Sequence, residues 1–312
     1  MAISRSAGYP DYTFGGVGTP GNANIPVIFS TKMLVKFYKA TVFGEIANTE
    51  YEGEIKNQGD TVEIRTIPDI TIRDYTKGQK LTLERPESTA VELLIDKAKY
   101  FNAGLDDIDV KQFDINMLDK WAEDASEQMK ITIDSAILQY LDSAEHASNS
   151  GASAGAISGN IALGVDGTTV SISKSNVIDY IVSCGQVLDE QNIPETDRWM
   201  VIPAWMSALI KTSDLKDASL TGDSVTPMRN GKLGMIDRFT LYKSNQLYNN
   251  GTATQACIPF GHKSALTFAS QIVKTEIYRP QDTFADAIKG LQVYGYKVIK
   301  PEALGIMWGS KA

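Results

Sequence analysis

The chain has 312 residues, with 38 acidic against 30 basic side chains for a formal net charge of −8, and two His and two Cys. That length supports one elaborated domain or two closely linked ones, and two thiols as far apart as Cys184 and Cys257 exclude a disulfide scaffold and fit a reducing compartment. A pI near 5.0 is ill suited to gripping a phosphate backbone; no apolar run is long enough to cross a membrane, and the first 20 residues lack the basic and apolar regions of a signal peptide.

Residues 1 to 25 are rich in Gly, Pro, Ser and Asn and show no period of two or 3.6, so they read as an arm, with Tyr12 and Phe14 as its aromatic anchors. From Pro26 the residues Ile28, Phe29, Met33, Leu34, Phe37 and Tyr38 recur at helical spacing, which predicts an amphipathic helix ending near Gly44. Two runs, Asp60 to Ile67 and Thr89 to Asp96, then read as the strands of a long hairpin around a polar tip. The tip holds Arg73, Asp74, Lys77, Lys80, Glu84, Arg85 and Glu87. A two-stranded hairpin buries too little apolar surface to stand alone, and mixed-sign charge suits a contact that sets register and partner choice, so these residues are expected at an inter-subunit contact.

Asp106, Asp107 and Asp109 suit a helix N-terminus by capping and dipole. The run to about Ser143 lacks Gly and Pro, and Phe113, Met117, Trp121, Ala125, Met129, Ile133, Ile137 and Leu141 step by four, predicting the longest helix of the chain. The Ser, Ala and Gly tract from Ser143 to Gly164 reads as a flexible loop. Beyond it the pattern predicts a helix from Ser173 to Glu190, a strand from Arg198 to Ile202, a short helix after Pro203, a polar loop from Thr212 to Lys232 and a strand from Arg238 to Ser244. Final strands are expected over Ala265 to Tyr278 and Gln292 to Ile299, with a turn or short helix from Phe284 to Lys289 between them. The fold class is α+β.

Motifs for chemistry are weak. Gly16, Gly18 and Gly21 match a dinucleotide fingerprint, but no strand precedes them and Pro20 interrupts the motif. Gly151, Ser153 and Gly155 match a nucleophile elbow, yet Ser153 lies in a low-complexity tract, with His262 as the sole later His. His146 and His262 are isolated, and the acidic triplet lacks the order of a calcium loop. No catalytic residue, metal or cofactor is expected.

Fixing the 25-residue arm costs roughly 25 to 50 kcal/mol at about 1 to 2 kcal/mol per residue. Offsetting that takes on the order of 1,000 to 2,000 Å² of apolar contact, and neighbouring copies are the expected source.

The order of parts, from arm and hairpin through one long helix to a mixed α/β region and returning strands, resembles the major capsid proteins of tailed bacteriophages, with the Hong Kong ninety-seven-type fold. Stretches similar to such coat proteins include Phe43 to Thr49, Gly59 to Val62, Leu94 to Phe101, Asp106 to Asp109, Asn230 to Asp237, Tyr242 to Asn245, and Phe268 to Gln271 with Glu276. The resemblance implies an N-terminal arm and first helix (1–44), an E-loop hairpin over an adjacent subunit (45–104), a peripheral domain with a spine helix (105–159), an axial domain (160–262) and peripheral-domain strands with a C-terminal return (263–312). It also implies self-assembly through pentamers and hexamers into an icosahedral shell around double-stranded DNA, put together in a host cytoplasm. A separate scaffolding protein, a portal and a decoration protein are the other partners implied. Some relatives cross-link a hairpin Lys, and Lys77 and Lys80 lie where such a residue would be. Two alternatives stay open: an encapsulin-like compartment with an enzyme cargo, and an α+β hydrolase using Ser153 and His262.

Overall fold

The computed structural model describes residues 38–39, 41–50, 61–68, 70–88, 90–107, 117–213, 234–251 and 254–312. Its organising element is a six-stranded mixed sheet built from β4 (Val170–Ile172), β5 (Arg198–Ile202), β6 (Met235–Ile236), β7 (Phe239–Lys243), β8 (Gln255–His262) and β11 (Leu304–Lys311), in the order β4-β11-β8-β5-β7-β6. The pairs β4–β11 and β5–β7 are parallel and the others antiparallel. All five residues of β5 are buried, which requires a core on each face of the sheet. Trp199 and Val201 point to one core with Cys257, Ile306 and Trp308, and Met200 and Ile202 to the other with Ile258, Phe260 and Met307.

The second of these cores lies under two helices, α3 (Val177–Glu190) and α4 (Ala204–Thr212). Helix α3 buries Val177, Ile181, Cys184, Val187 and Leu188, and α4 buries Met206 and Ile210, both at helical spacing. Arg198 sits at the end of α3 with its side chain withdrawn from water. Its guanidinium donates to the carbonyls of Pro194 at 2.8 Å and Ile193 at 2.6 Å and pairs with Asp189 at 2.7 Å. Arg238, in the left-handed turn between β6 and β7, reaches the other oxygen of Asp189 at 2.8 Å and Glu195 at 2.7 Å. A buried charge is tolerable when its donors are satisfied, as these are.

The opposite core is closed by the long helix α2 (Met117–Leu141). Its C-terminal half buries Ile133, Ile137, Leu138 and Leu141, while Trp121 and Ala125 farther along the same stripe are half-buried. Just past its end, Asp142 accepts from the Trp308 indole at 3.0 Å, tying the helix to β11. On its other side α2 meets a three-stranded antiparallel sheet of order β3-β10-β9, formed by β3 (Lys97–Asp106), β9 (Leu266–Tyr278) and β10 (Ala285–Val298). A row of ring contacts, Phe43–Phe268 at 5.1 Å, Phe268–Tyr294 at 6.0 Å, Tyr294–Tyr296 at 6.2 Å and Tyr296–Tyr140 at 5.2 Å, joins the short helix α1 (Phe43–Ile46), both strands and α2.

The hairpin β1 (Thr61–Arg65) and β2 (Ala90–Leu94) pairs Val62 with Leu93 and Ile64 with Val91, so one face is apolar. Ile64 and Leu93 use it against Ala269 of β9 and Val293 of β10. Contact is close at Gly295, where an added Cβ would stand 2.3 Å from the Leu94 carbonyl oxygen. The hairpin root is anchored there.

Several expectations are corrected. Tyr38, Lys39, Thr41 and Val42 are not helical; the helix here spans Phe43–Ile46, and residues 26–37 lie outside the described residues. Asp106 ends β3, paired with Ala285, and Asp107 is helical directly after it, so these acids do stand at a helix start; Asp109 lies outside the described residues. The segment after Phe284 is strand β10, because its backbone is claimed by ladders on both sides. The tract read as a flexible loop is folded. Asn149 is buried and donates to the carbonyls of Glu302 at 2.7 Å and Leu304 at 2.9 Å, Gly151 bridges Gly164 and Ala154 bridges Ile161, and Ala154 and Leu163 join the core beside α3. Most of the expected loop from Thr212 to Lys232 lies outside the described residues. Strands β3, β4, β8 and β11 were not individually expected.

Replacing Arg198 with Met removes the buried charge and leaves the carbonyls of Ile193 and Pro194 unpaired, so unfolding stability should fall by about 3 kcal/mol. The urea midpoint of the full-length subunit measures it, and a change within about 0.5 kcal/mol would contradict this account.

Candidate assembly surfaces

Past Arg65 and Ala90 the hairpin ladder ends and the chain continues as two arms from 66 to 88 that close in a turn, where the Gln79 amide donates to the Thr76 carbonyl at 3.0 Å. Every described residue from 70 to 88 is exposed. Five of these and Ile67 just before them are large and apolar: Ile67, Ile70, Ile72, Tyr75, Leu81 and Leu83 are between 65 % and 95 % exposed. Burying a side chain of this kind stabilises by about 1.5 to 3 kcal/mol, so the six represent roughly 9 to 18 kcal/mol of gross burial free energy. Scattered apolar residues are ordinary on a surface, whereas here six lie together on one projection.

The charged residues expected at the tip are all brought to this loop. Arg73 and Glu84 face each other at 4.0 Å, too exposed and distant for the pair to matter to the fold. Glu84 also accepts from the Thr71 hydroxyl at 3.2 Å. Asp74, Lys77, Lys80, Arg85 and Glu87 are exposed and make no ion pair with any described residue. Tyr12 and Phe14 lie outside the described residues. Charge led the sequence reading to this loop, whereas the apolar Ile-x-Ile of 70–72 and Leu-x-Leu of 81–83 went unused; both were visible as alternation.

A second surface is the outer face of the three-stranded sheet. Tyr100 of β3, Leu291 of β10 and Lys274 of β9 stand in one row, and Asn102, Lys289 and Glu276 in the next. Glu276 pairs with both Lys274 and Lys289 at 3.2 Å or less, and the two lysines hold its carboxyl below the usual range. These residues line a shallow groove of about 400 Å³, with Tyr100 80 % exposed beside it.

The third is a knob in the folded tract. Glu190, on the last turn of α3, accepts from the backbone amides of Ile157 and Ser158, both at 2.9 Å, and from the Gln186 side chain at 3.0 Å. Those amides hold its carboxyl down to about 2, from an ordinary 4.5. Gly155 has φ +105°, and a Cβ there would stand 2.8 Å from Glu190 Oε2, so the loop requires glycine. The result is a fixed turn presenting Ile157, 81 % exposed, to the outside.

Ser153 is exposed in this tract, in a turn between two bridges and not at a strand-to-helix corner. His262 Nδ1 is engaged with the Ser264 hydroxyl at 2.8 Å, and burial lowers the pKa of the ring. The geometry of a nucleophile elbow is therefore missing at Ser153. Both thiols are buried and pushed up by that burial, away from reactivity. Among the described residues no group of three or more His, Cys, Asp or Glu side chains is arranged to hold a metal ion, and no helix is long and apolar enough to cross a membrane.

The model of the phage capsid protein family matches residues 91–306, more than two thirds of the chain. The chain belongs to the phage capsid protein family. A structure from Mycobacterium phage Che8 superposes with a TM-score of 0.76 at 28 % identity, covering 91 % of this chain and 97 % of the other. The capsid of cyanophage P-SCSP1u gives 0.72 at 16 % identity over 96 % and 97 %, and the mature capsid of bacteriophage PhiM1 gives 0.68 at 16 % over 95 % and 95 %. No curated protein matches the sequence. The fold is that of phage major capsid proteins, and this capsid protein is a structural component of a phage head shell that resides in the virion. The family match begins at Val91, so it leaves out the hairpin arms, the most exposed apolar stretch among the described residues.

The Glu190 clasp has a defined pH dependence. A carboxyl whose folded pKa is depressed contributes in full above its ordinary 4.5 and loses that contribution as pH falls through about 2. Hydrogen exchange of peptides covering 150–163, corrected for intrinsic rate, should show protection of Ile157 and Ser158 constant above pH 5 and falling below about 4.5. Glu190→Gln should flatten that dependence, and an unchanged slope in the variant would rule the clasp out.

Proposed function

We propose that this capsid protein is the repeating subunit of an icosahedral shell, grouped in pentamers and hexamers around double-stranded DNA, and that its β1–β2 hairpin lies over an adjacent subunit. The observation that carries the reading is the run of six exposed apolar side chains from Ile67 to Leu83 on a projection without a core of its own. A monomer gains nothing by holding them in water, whereas a neighbour that covers them gains their burial. Arg73, Asp74, Lys77, Lys80, Glu84, Arg85 and Glu87 surround that apolar run and would set register across the contact, with Tyr12 and Phe14 contributing from the arm.

In this reading the hairpin occupies 45–104, the peripheral domain with its spine helix 105–159 and the axial domain 160–262. The C-terminal return then enters the axial sheet as β11. A scaffolding protein, a portal and a decoration protein are the further partners it implies, and the subunit itself has no catalytic task. A net charge of −8 disfavours tight binding to the packaged nucleic acid, which suits a container that must later release it. The compartment alternative shares the fold but carries protein cargo, and nuclease-protected double-stranded DNA inside purified particles separates the two.

Ile72→Asp combined with Leu83→Asp tests the contact. Both positions are exposed, so the urea midpoint of the subunit should move by no more than about 0.5 kcal/mol, while closed shells seen by negative-stain electron microscopy for the unaltered chain should disappear. Shells of ordinary size from the double variant would refute the hairpin contact.

A further inference from the structure

Residues 38 to 48 join the preceding segment to the body of the subunit, and two carboxylates of α2 hold that junction. The Tyr38 hydroxyl donates to Asp124 at 3.0 Å. Ten residues farther along the helix, Asp134 Oδ1 accepts from the backbone amides of Val42 at 3.0 Å and Phe43 at 2.9 Å. Ten helical residues span about 15 Å, and the four steps from Tyr38 to Val42 cover about 13 Å when extended. The junction therefore runs lengthwise along α2, in the direction of the helix, instead of crossing it.

Asp134 is fully buried. Its second oxygen accepts from the Gln246 amide at 2.9 Å; Gln246 also accepts from the Ser135 hydroxyl at 3.2 Å, and its backbone amide donates to the Ser244 hydroxyl oxygen at 3.1 Å. Three distant stretches, the arm junction, the long helix and the loop after β7, thus meet at one carboxylate. Burial pushes this carboxyl up, while the two backbone amides pull it down. A leucine in this place would extend the apolar face of Ile133, Ile137, Leu138 and Leu141 without the cost of desolvating a carboxylate. The helix instead carries the group that satisfies both amides opening α1.

We propose that Asp134 is a positioning residue for assembly: by fixing Val42 and Phe43 on α2, with Tyr38 and Asp124 as the second point, it sets the position and direction of the chain at 38–43, where the preceding segment joins the subunit. The assembly half rests on the shell-subunit reading, and the junction half does not, so the two are read separately. In full-length unassembled subunits, Asp134→Ala should make peptides covering 38–48 exchange hydrogen about 10- to 100-fold faster while peptides covering 129–141 keep their protection. The same variant should fail to form closed shells, and Asp134→Asn, which keeps the acceptor, should restore both properties.

Ordinary shells from Asp134→Ala, unchanged exchange at 38–48, or equal loosening of 129–141 would each overturn the proposal. If the unaltered chain itself forms no shells, it is the shell-subunit reading that fails. Should Asp134→Ala not fold, Tyr38→Phe decides: Tyr38 is exposed, and unchanged exchange with unchanged shells from the variant would overturn the two-point clamp.

Discussion

Helix α2 is wedged between two sheets, and that position governs the rest of the subunit. Its C-terminal half shares one core with the inward faces of β5, β8 and β11 on one side and of β9 and β10 on the other. Apolar positions recur along all 25 residues of the helix, but full burial is confined to its C-terminal half. The apolar density is gathered at Ile133 to Leu141, and the elements that find room against it, α1 and the aromatic row from Phe43 to Tyr140, become the body. What does not fit there, above all the described residues from 70 to 88, stays exposed.

Polar anchors complete the body at three places where the chain changes direction. Asp142 holds the end of α2 to Trp308, Arg198 gathers the carbonyls after α3, and Asn149 binds the carbonyls before and within the start of β11. In each case a backbone or indole group is withdrawn from water and must find a partner, and one well-placed side chain supplies it. The anchors share a logic with Glu190, whose carboxylate closes the turn of Ile157 and Ser158. They let a tract of Ser, Ala and Gly hold a single conformation.

Much of this was legible in the residues. The step of four along α2 and the alternation of β1 carry their period openly, and the run Arg198 to Ile202 reads as a strand through its aromatic and β-branched residues; the structure places elements there. The tract from Ser143 to Gly164 was misread because its composition is that of a loop, while its order comes from Asn149 and Glu190, side chains whose partners lie 153 and 33 residues away. Strands β8 and β11 were hidden for a related reason: buried on both faces, they lose the alternation that marks a strand. Asp134 did leave a signal. At about 100° per residue it falls in the middle of the arc marked by Ile133, Ile137, Leu138 and Leu141, where a carboxylate needs a buried partner.

The division between body and projection also explains how family likeness is distributed. The family match covers 91–306, where the central strands of the six-stranded sheet pack on two cores at once and those of the three-stranded sheet pack on one. The match stops short of the hairpin arms, whose described residues from 70 to 88 are all exposed. At the root the constraint returns: Gly295 admits the Leu94 carbonyl at a distance no side chain would allow. The hairpin is thus fixed at its base, while the described residues of its arms from 70 to 88 are exposed. Asp134 and Asp124 act in the same way on the junction at Tyr38 to Phe43, fixing where the segment attaches without dictating what lies beyond it.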